Sequence, residues 1–229
     1  MEPTVVCSGV SKIYQQEAMA VHALTDIDLE IPKKDFACLS GPSGSGKSTL
    51  LNLIGGLDAP THGEIRVDGI ALNTLDKGAL AQLRLRRIGF VFQAYNLIPV
   101  LTARENIEFV MQLQGLPARE RTDKAMEIIK EVGLDGLENR RPGELSGGQQ
   151  QRVAVARAIV SEPSLVLADE PTANLDSKTA TALMELLVHM NTEHNVTFIF
   201  STHDKLVMDF SRRLIKLHDG RVVEDVRRE

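Results

Sequence analysis

The stretch Gly41-Pro42-Ser43-Gly44-Ser45-Gly46-Lys47-Ser48-Thr49 constrains this chain more than any other. It fits the spacing Gly, four residues, Gly-Lys-Ser/Thr. A short apolar run, Phe36-Ala37-Cys38-Leu39, precedes it, and a helix-like stretch, Ser48-Thr49-Leu50-Leu51-Asn52-Leu53-Ile54, follows it. Strand, glycine-rich loop and helix in that order make a phosphate cradle. Glycine removes the Cβ that would keep backbone N–H groups from closing around an anion, and the helix N-terminus adds partial positive charge. Lys47 suits the β- and γ-phosphates of a nucleotide, and the Ser48 hydroxyl suits Mg²⁺. A Gly/Ser-rich surface turn would share the composition but not the flanking strand and helix.

The 229 residues suffice for one large domain. A net charge of -5 argues against a general nucleic-acid surface. Cys7 and Cys38 lie in apolar, strand-like runs, which predicts buried free thiols in a reducing compartment. Met1-Glu2-Pro3-Thr4-Val5-Val6-Cys7 lacks the charged start and apolar stretch of a signal peptide, and no apolar run approaches membrane-spanning length. A soluble intracellular protein is expected, reaching any membrane through a partner.

Val5-Val6-Cys7 and Val21 to Ile31 read as strands, with Tyr14 in a loop between them. There Tyr14 either stacks on a base or sits half-buried at a strand end. Glu64-Ile65-Arg66-Val67 is a short strand ending in the turn Asp68-Gly69. Arg87-Ile88-Gly89-Phe90-Val91-Phe92 reads as a central strand closed by Gln93, whose amide oxygen suits Mg²⁺ or water and equally suits a plain polar terminator. From Thr102 to about Gly133 the pattern becomes helical, and Leu116-Pro117 breaks it in two. This predicts a helical insert, roughly residues 95–160, within a single domain spanning 1–229.

Leu145-Ser146-Gly147-Gly148-Gln149 opens a long helix, with Ser146 as its N-cap. Capping accounts for Ser146; the paired glycines point to an anion site. Ser164 to Ala168 is an apolar strand ending in Asp169 and Glu170, the pattern of a buried parallel strand with ligands beyond its carboxyl end. The two carboxylates can then divide their work, Asp169 near Mg²⁺ and Glu170 near an attacking water. Asp176 sits in the turn Ala173-Asn174-Leu175-Asp176, and His203 stands just past the strand Asn195 to Ser201. A lone histidine at a strand end is more often structural, but this one falls at the phosphate-loop end of the sheet. A terminal hairpin turns at Asp219-Gly220.

These motifs, in this order, closely resemble the ATP-binding cassette ATPases over nearly the whole chain. Tyr14 matches the aromatic loop, residues 41–49 the phosphate loop, Gln93 the Q-loop, Leu145 to Gln149 the signature, Asp169-Glu170 the second nucleotide motif, Asp176 the D-loop and His203 the switch histidine. Gly41 to Asn52, Phe92 to Pro99 and Leu101 to Asn106 resemble the branch containing bacterial lipoprotein-releasing, macrolide-exporting and cell-division ATPases. Arg140-Arg141-Pro142-Gly143-Glu144 and Asn174 depart from common relatives without touching a catalytic motif.

The resemblance implies an α/β fold: a RecA-like P-loop NTPase core, an N-terminal antiparallel β subdomain and an inserted α-helical subdomain. It implies an ATPase using ATP and Mg²⁺, with two nucleotides sandwiched in a head-to-tail homodimer. In that arrangement Lys47 and the loop 41–49 hold the phosphates, Ser48, Gln93 and Asp169 organise Mg²⁺, Glu170 polarises water and His203 stabilises the γ-phosphate. Tyr14 takes the base, the helix start with Ser146 and Gly148 comes from the second chain, and Gly147, Gln149 and Asp176 are counted among the nucleotide-binding residues. The implied partner is an integral-membrane permease, met from the cytoplasmic face of the inner membrane through Ala94 to Pro99, where Leu97, Ile98, Val100 and Leu101 either receive a short helix or pack the lobe. Export or lipoprotein release is the leading reading, and an ATP-driven signalling regulator of the cell-division type is the alternative. A soluble cassette acting on DNA or ribosomes is disfavoured by the acidic balance and by the absence of a long coiled-coil insert or second cassette.

Overall fold

In a computed structural model, which describes residues 2–16 and 19–228, the chain forms two sheets. The first is antiparallel, in the order β2-β1-β4-β5, from β1 (Val5–Gln16), β2 (Met19–Ile31), β4 (His62–Val67) and β5 (Ile70–Ala71). The second is six-stranded, in the order β10-β9-β3-β8-β7-β6. Its members are β3 (Phe36–Ser40), β6 (Ile88–Phe92), β7 (Leu165–Asp169), β8 (Thr197–Thr202), β9 (Arg213–His218) and β10 (Arg221–Arg227). β9, β3, β8, β7 and β6 run parallel, and only β10 is antiparallel to its neighbour.

The six-stranded sheet separates two apolar cores, and strand alternation assigns residues to each. Phe36 and Cys38 of β3, Val166 and Ala168 of β7, and Phe198 and Phe200 of β8 face the core shared with the longer helices. Ala37, Leu39, Leu165, Leu167 and Ile199 face the core shared with the antiparallel sheet and with α1 (Lys47–Ile54). Strands filled on both faces must be apolar throughout, and β3 and β8 are buried at every position.

α2 (Lys77–Arg87) precedes β6, capped by the Asp76 carboxylate on Ala79 N at 2.7 Å. Between β6 and β7 lie α3 (Ala103–Leu113), α4 (Ala118–Glu131) and α5 (Gly147–Ile159). α3 starts in a reciprocal capping box between Thr102 and Glu105. Pro117 is the N-cap of α4, where a missing N–H costs nothing. α6 (Ser177–Glu193) and the single turn α7 (Lys205–Met208) flank β8.

Two sequence expectations change. Tyr14 lies inside β1, opposite Val21, not in a loop. Register shifts between Cys7, Val10, Lys12 and Ile13 carry the strand through the polar Ser8-Gly9 and Ser11-Lys12 steps that interrupt its alternation. The strand from Ile88 is an edge strand, not a central one. It reads as central because α5 lies directly on it: a Cβ on Gly89 would collide with the carbonyl of Ala158.

Cys7 and Cys38 are free and buried, and burial pushes both thiols up to about 12. In the folded protein at pH 8 they are expected to react with a charged thiol reagent at least about a hundredfold more slowly than in guanidinium, because almost no thiolate is present. Prompt labelling of the native protein, followed by mass spectrometry, would contradict this packing.

Candidate functional site

Parallel pairing sets Ser40 opposite Thr202, Ser201 opposite Asp169, and Asp169 opposite Phe92. The loops that follow these strands therefore leave the sheet at one level, the carboxyl edge where such sheets bind ligands. The stretch 41–46, Gln93, Glu170 and His203 all emerge there.

The stretch 41–46 runs from β3 into α1. Gly41, Gly44 and Gly46 have φ of 145°, 78° and 102°, which L side chains avoid. At Gly46 a Cβ would also stand 2.7 Å from Ala23 O, so the loop must hug β2. Gly46 caps α1 without any side-chain hydrogen bond, whereas Asp76, Thr102, Ser146 and Asp176 cap α2, α3, α5 and α6. The first amides of α1 are thus left for something other than a cap. Lys47 is buried, and its Nζ donates to the carbonyls of Gly41 and Pro42 at 2.8 and 3.0 Å. Two of its three donors hold the loop closed.

Pro42 to Thr49, Gln93, Glu170 and His203 line one cavity of about 620 Å³, closed on one side by Val21, His22 and Ala23 of β2. Asp169 is tied to it through Ser48, whose Oγ donates to Asp169 Oδ1 at 3.0 Å. His203 Nδ1 donates to Glu170 Oε1 at 2.8 Å. Glu170 has φ of 46°, a left-handed conformation costing about 1–3 kcal/mol for a residue with a Cβ. Ser48, Asp169 and the Gln93 amide offer only oxygen donors. That set fits Mg²⁺, which favours one carboxylate, a hydroxyl, waters and phosphate oxygens over an all-protein cage. In keeping with this, the described residues hold no cluster of three His, Cys, Asp or Glu able to bind a metal alone.

Tyr14 lies outside the cavity lining, although its cross-strand neighbour Val21 belongs to it. Its hydroxyl donates to Asp58 Oδ2 at 2.8 Å, and Lys12 Nζ sits 4.8 Å from the ring centroid. Ser146, Gly147, Gly148, Gln149 and Asp176 also lie outside the cavity. Of these, Gly148 and Asp176 meet at Thr179. Ser146 and Gln149 make a reciprocal capping box at the start of α5. Asp176 caps α6, accepting from Thr179 N at 3.0 Å and Oγ1 at 2.8 Å, and these bonds hold its carboxyl below the usual range. A Cβ on Gly148 would stand 2.6 Å from Thr179 Cγ2, and one on Gly147 would stand 2.9 Å from Tyr95 Oη. The paired glycines therefore have a packing reason within the chain as well.

Sequence reasoning missed the residues that hold the Gln93 loop. Tyr95 and Asn96 are both left-handed, at φ 59° and 49°. Arg157 of α5 donates to their carbonyls at 2.9 and 2.6 Å. Asn106, buried on the apolar stripe of α3, accepts from Ile98 N and donates to the carbonyls of Ile98, Leu101 and Thr102. Asn174 Nδ2 donates to Gln93 O at 3.0 Å. A polar residue on a buried helical stripe was the available signal for Asn106. Beside this loop an apolar groove of about 610 Å³ runs between α2, β6 and α3, lined by Leu85, Phe90, Phe92, Val110 and Leu113. Of the four apolar loop residues for which the sequence leaves both helix docking and packing of the lobe open, Val100 is exposed and Leu97 packs against the helical core.

A P-loop cassette with an antiparallel sheet and a helical insert is the class this geometry defines. The family model "ABC transporter" matches residues 24–173. The chain is 46% identical over 218 residues to the ABC transporter ATP-binding protein MJ0796 of Methanocaldococcus jannaschii, covering 93% of each. It is 46% identical to the lipoprotein-releasing system ATP-binding protein LolD of Anaeromyxobacter dehalogenans, covering 97% of this chain and 94% of that one. It is 42% identical to the macrolide export ATP-binding/permease protein MacB of Mannheimia succiniciproducens, covering 96% of this chain and 34% of that longer one. The solved dimer of MJ0796 in a post-hydrolysis state with ADP and Pi matches with a TM-score of 0.90 at 44% identity, over 97% and 98% of the two chains. The chain belongs to the ABC transporter family, as an ATP-binding cassette with ATPase activity.

Replacing Lys47 by Ala is expected to weaken ATP binding by roughly 10- to 100-fold, the worth of a charged hydrogen-bonded contact. Calorimetric titration reads this directly; unchanged affinity would remove Lys47 from the phosphate cradle.

Proposed function

We propose that two copies of this chain close head to tail around two ATP molecules and that closure and reopening drive a membrane permease. The observation carrying this reading is the division of the motifs. The cavity holds the glycine-rich loop, Gln93, Glu170 and His203, while Ser146 to Gln149 and Asp176 lie outside its lining, Gly148 and Asp176 meeting at Thr179. A helix end that completes the site over the γ-phosphate is then supplied by a second copy. The ADP- and Pi-bound dimer of the related MJ0796 supports a dimeric nucleotide-binding unit.

In this mechanism Lys47 and the amides of the loop hold the β- and γ-phosphates, and Tyr14 contributes the base contact at the Val21 edge. Ser48, Asp169 and Gln93 would hold Mg²⁺, which when bound would neutralise charge on the phosphate oxygens. Glu170 orients and polarises the attacking water, and its carboxylate is fixed by His203 at 2.8 Å. His203 also stabilises the γ-phosphate and its contact across the dimer. Phosphoryl transfer is mainly positioning and electrostatics, so a rigid, prealigned set of oxygen and nitrogen groups supplies most of the effect.

Among the described residues no helix is long and apolar enough to cross a membrane. The apolar groove beside the Gln93 loop suits a short amphipathic helix from a permease, with Phe90, Phe92, Val110 and Leu113 as its floor. The ATP-binding/permease name of MacB and the lipoprotein-releasing system named in LolD support export or lipoprotein release, for which the cytoplasmic face of the inner membrane is the site in this reading.

Glu170→Gln is expected to cut ATP turnover by at least about 100-fold, the usual worth of a positioned base, while ATP still binds. Size-exclusion chromatography with ATP should then show this variant accumulating as a dimer. Near-normal phosphate release by the purified variant would refute the assignment of Glu170.

A further inference from the structure

Ser201 is fully buried on β8, directly opposite Asp169 in the parallel register. Its hydroxyl donates to Asp169 Oδ1 and accepts from Glu170 N at 3.2 Å. Its own carbonyl also accepts from Glu170 N, at 3.1 Å. One residue therefore touches the side chain of the first carboxylate and the backbone of the second.

Both contacts are chemically demanding. Asp169 Oδ1 already accepts from Ser48 Oγ at 3.0 Å, so a second hydroxyl fixes which way the carboxylate is turned. Glu170 holds a left-handed φ of 46°, which persists only where neighbours over-determine it. The ladder carbonyl of residue 201 would be present with any side chain there. The hydroxyl is what this residue adds, in a buried place where an alkyl side chain would be the default.

We propose that Ser201 is a positioning residue for ATP hydrolysis, its hydroxyl setting the carboxylate of Asp169 and the strained turn of Glu170 at once. This rests on the roles assigned above to those two residues. Ser201 touches neither nucleotide nor water; it acts through its neighbours. Thr202, next along β8, has a different task, since its Oγ1 accepts from Asp204 N at 3.0 Å and so shapes the turn after His203.

The test compares Ser201→Ala, Ser201→Thr and Ser201→Val. Thr and Val add the same bulk, so any steric cost is shared and only the hydroxyl differs. In steady-state ATPase assays Ser201→Ala and Ser201→Val should lose about tenfold in kcat with KM for ATP changed less than about threefold, the pattern of an effect exerted in the transition state. Ser201→Thr should recover most of the loss relative to Ser201→Val. Independently of activity, hydrogen–deuterium exchange of the nucleotide-free protein should quicken at Glu170 in Ala and Val, and not in Thr.

Wild-type kcat and wild-type exchange in Ser201→Ala would overturn the proposal. So would Thr and Val variants that are equally impaired, because Ser201 would then only fill space. Glu170→Gln run in parallel separates the two readings. If that variant is silent while Ser201→Ala is normal, only the role of Ser201 falls. If that variant turns over normally, the roles of the carboxylates fall and the proposal falls with them.

Discussion

Parallel register is the constraint on which the rest of the structure depends. Pairing of β6 with β7, β7 with β8 and β8 with β3 brings Phe92, Asp169, Ser201, Thr202 and Ser40 to one level. Four loops far apart in sequence must then meet at a single edge. A slip of one residue would turn Phe198 and Phe200 into the wrong core, so two filled cores hold the register that assembles the site. Stability and function share this interaction, although the residues that fix the register are not those that meet the ligand.

The edge itself is held in unfavourable backbone. Glu170, Tyr95 and Asn96 are left-handed residues with side chains, each costing about 1–3 kcal/mol. Each is braced from another element: Glu170 by Ser201 of β8, and the Tyr95-Asn96 pair by Arg157 of α5. The bracing links the helical insert to the Gln93 loop. Arg157 lies on the same helix that Ser146 caps, and Asn174 joins the turn before α6 to the carbonyl of Gln93. A movement of α5 would therefore be felt directly at Tyr95 and Asn96, in the loop that follows Gln93.

Much of this was legible in the sequence where residue type and backbone demand coincide. The phosphate loop, the helix pair broken at Leu116-Pro117, the Ser146 cap and the strand ending in Asp169 all rest on local chemistry, and all appear as read. The misreadings have local causes too. Bulges hid the length of β1 and moved Tyr14 into it. Helix α5 made the edge strand β6 look central. Helix α2 was not seen, because Lys77 to Arg87 is so polar that only Leu83 is fully buried. Ser201, Arg157 and Asn174 were illegible for another reason: a serine in a strand, an arginine in a helix and an asparagine in a turn are ordinary until their partners are known.

The grouping of Ser146 to Gln149 and Asp176 away from the cavity carries the central claim, that one copy of the chain holds only part of each site. The most direct measurement is the rate of ATP hydrolysis against enzyme concentration, with mass measured by light scattering over the same range. The account predicts that specific activity falls on dilution as the dimer dissociates, so that the rate in the dilute range varies with roughly the square of enzyme concentration. A rate strictly proportional to concentration in samples shown to be monomeric would contradict it.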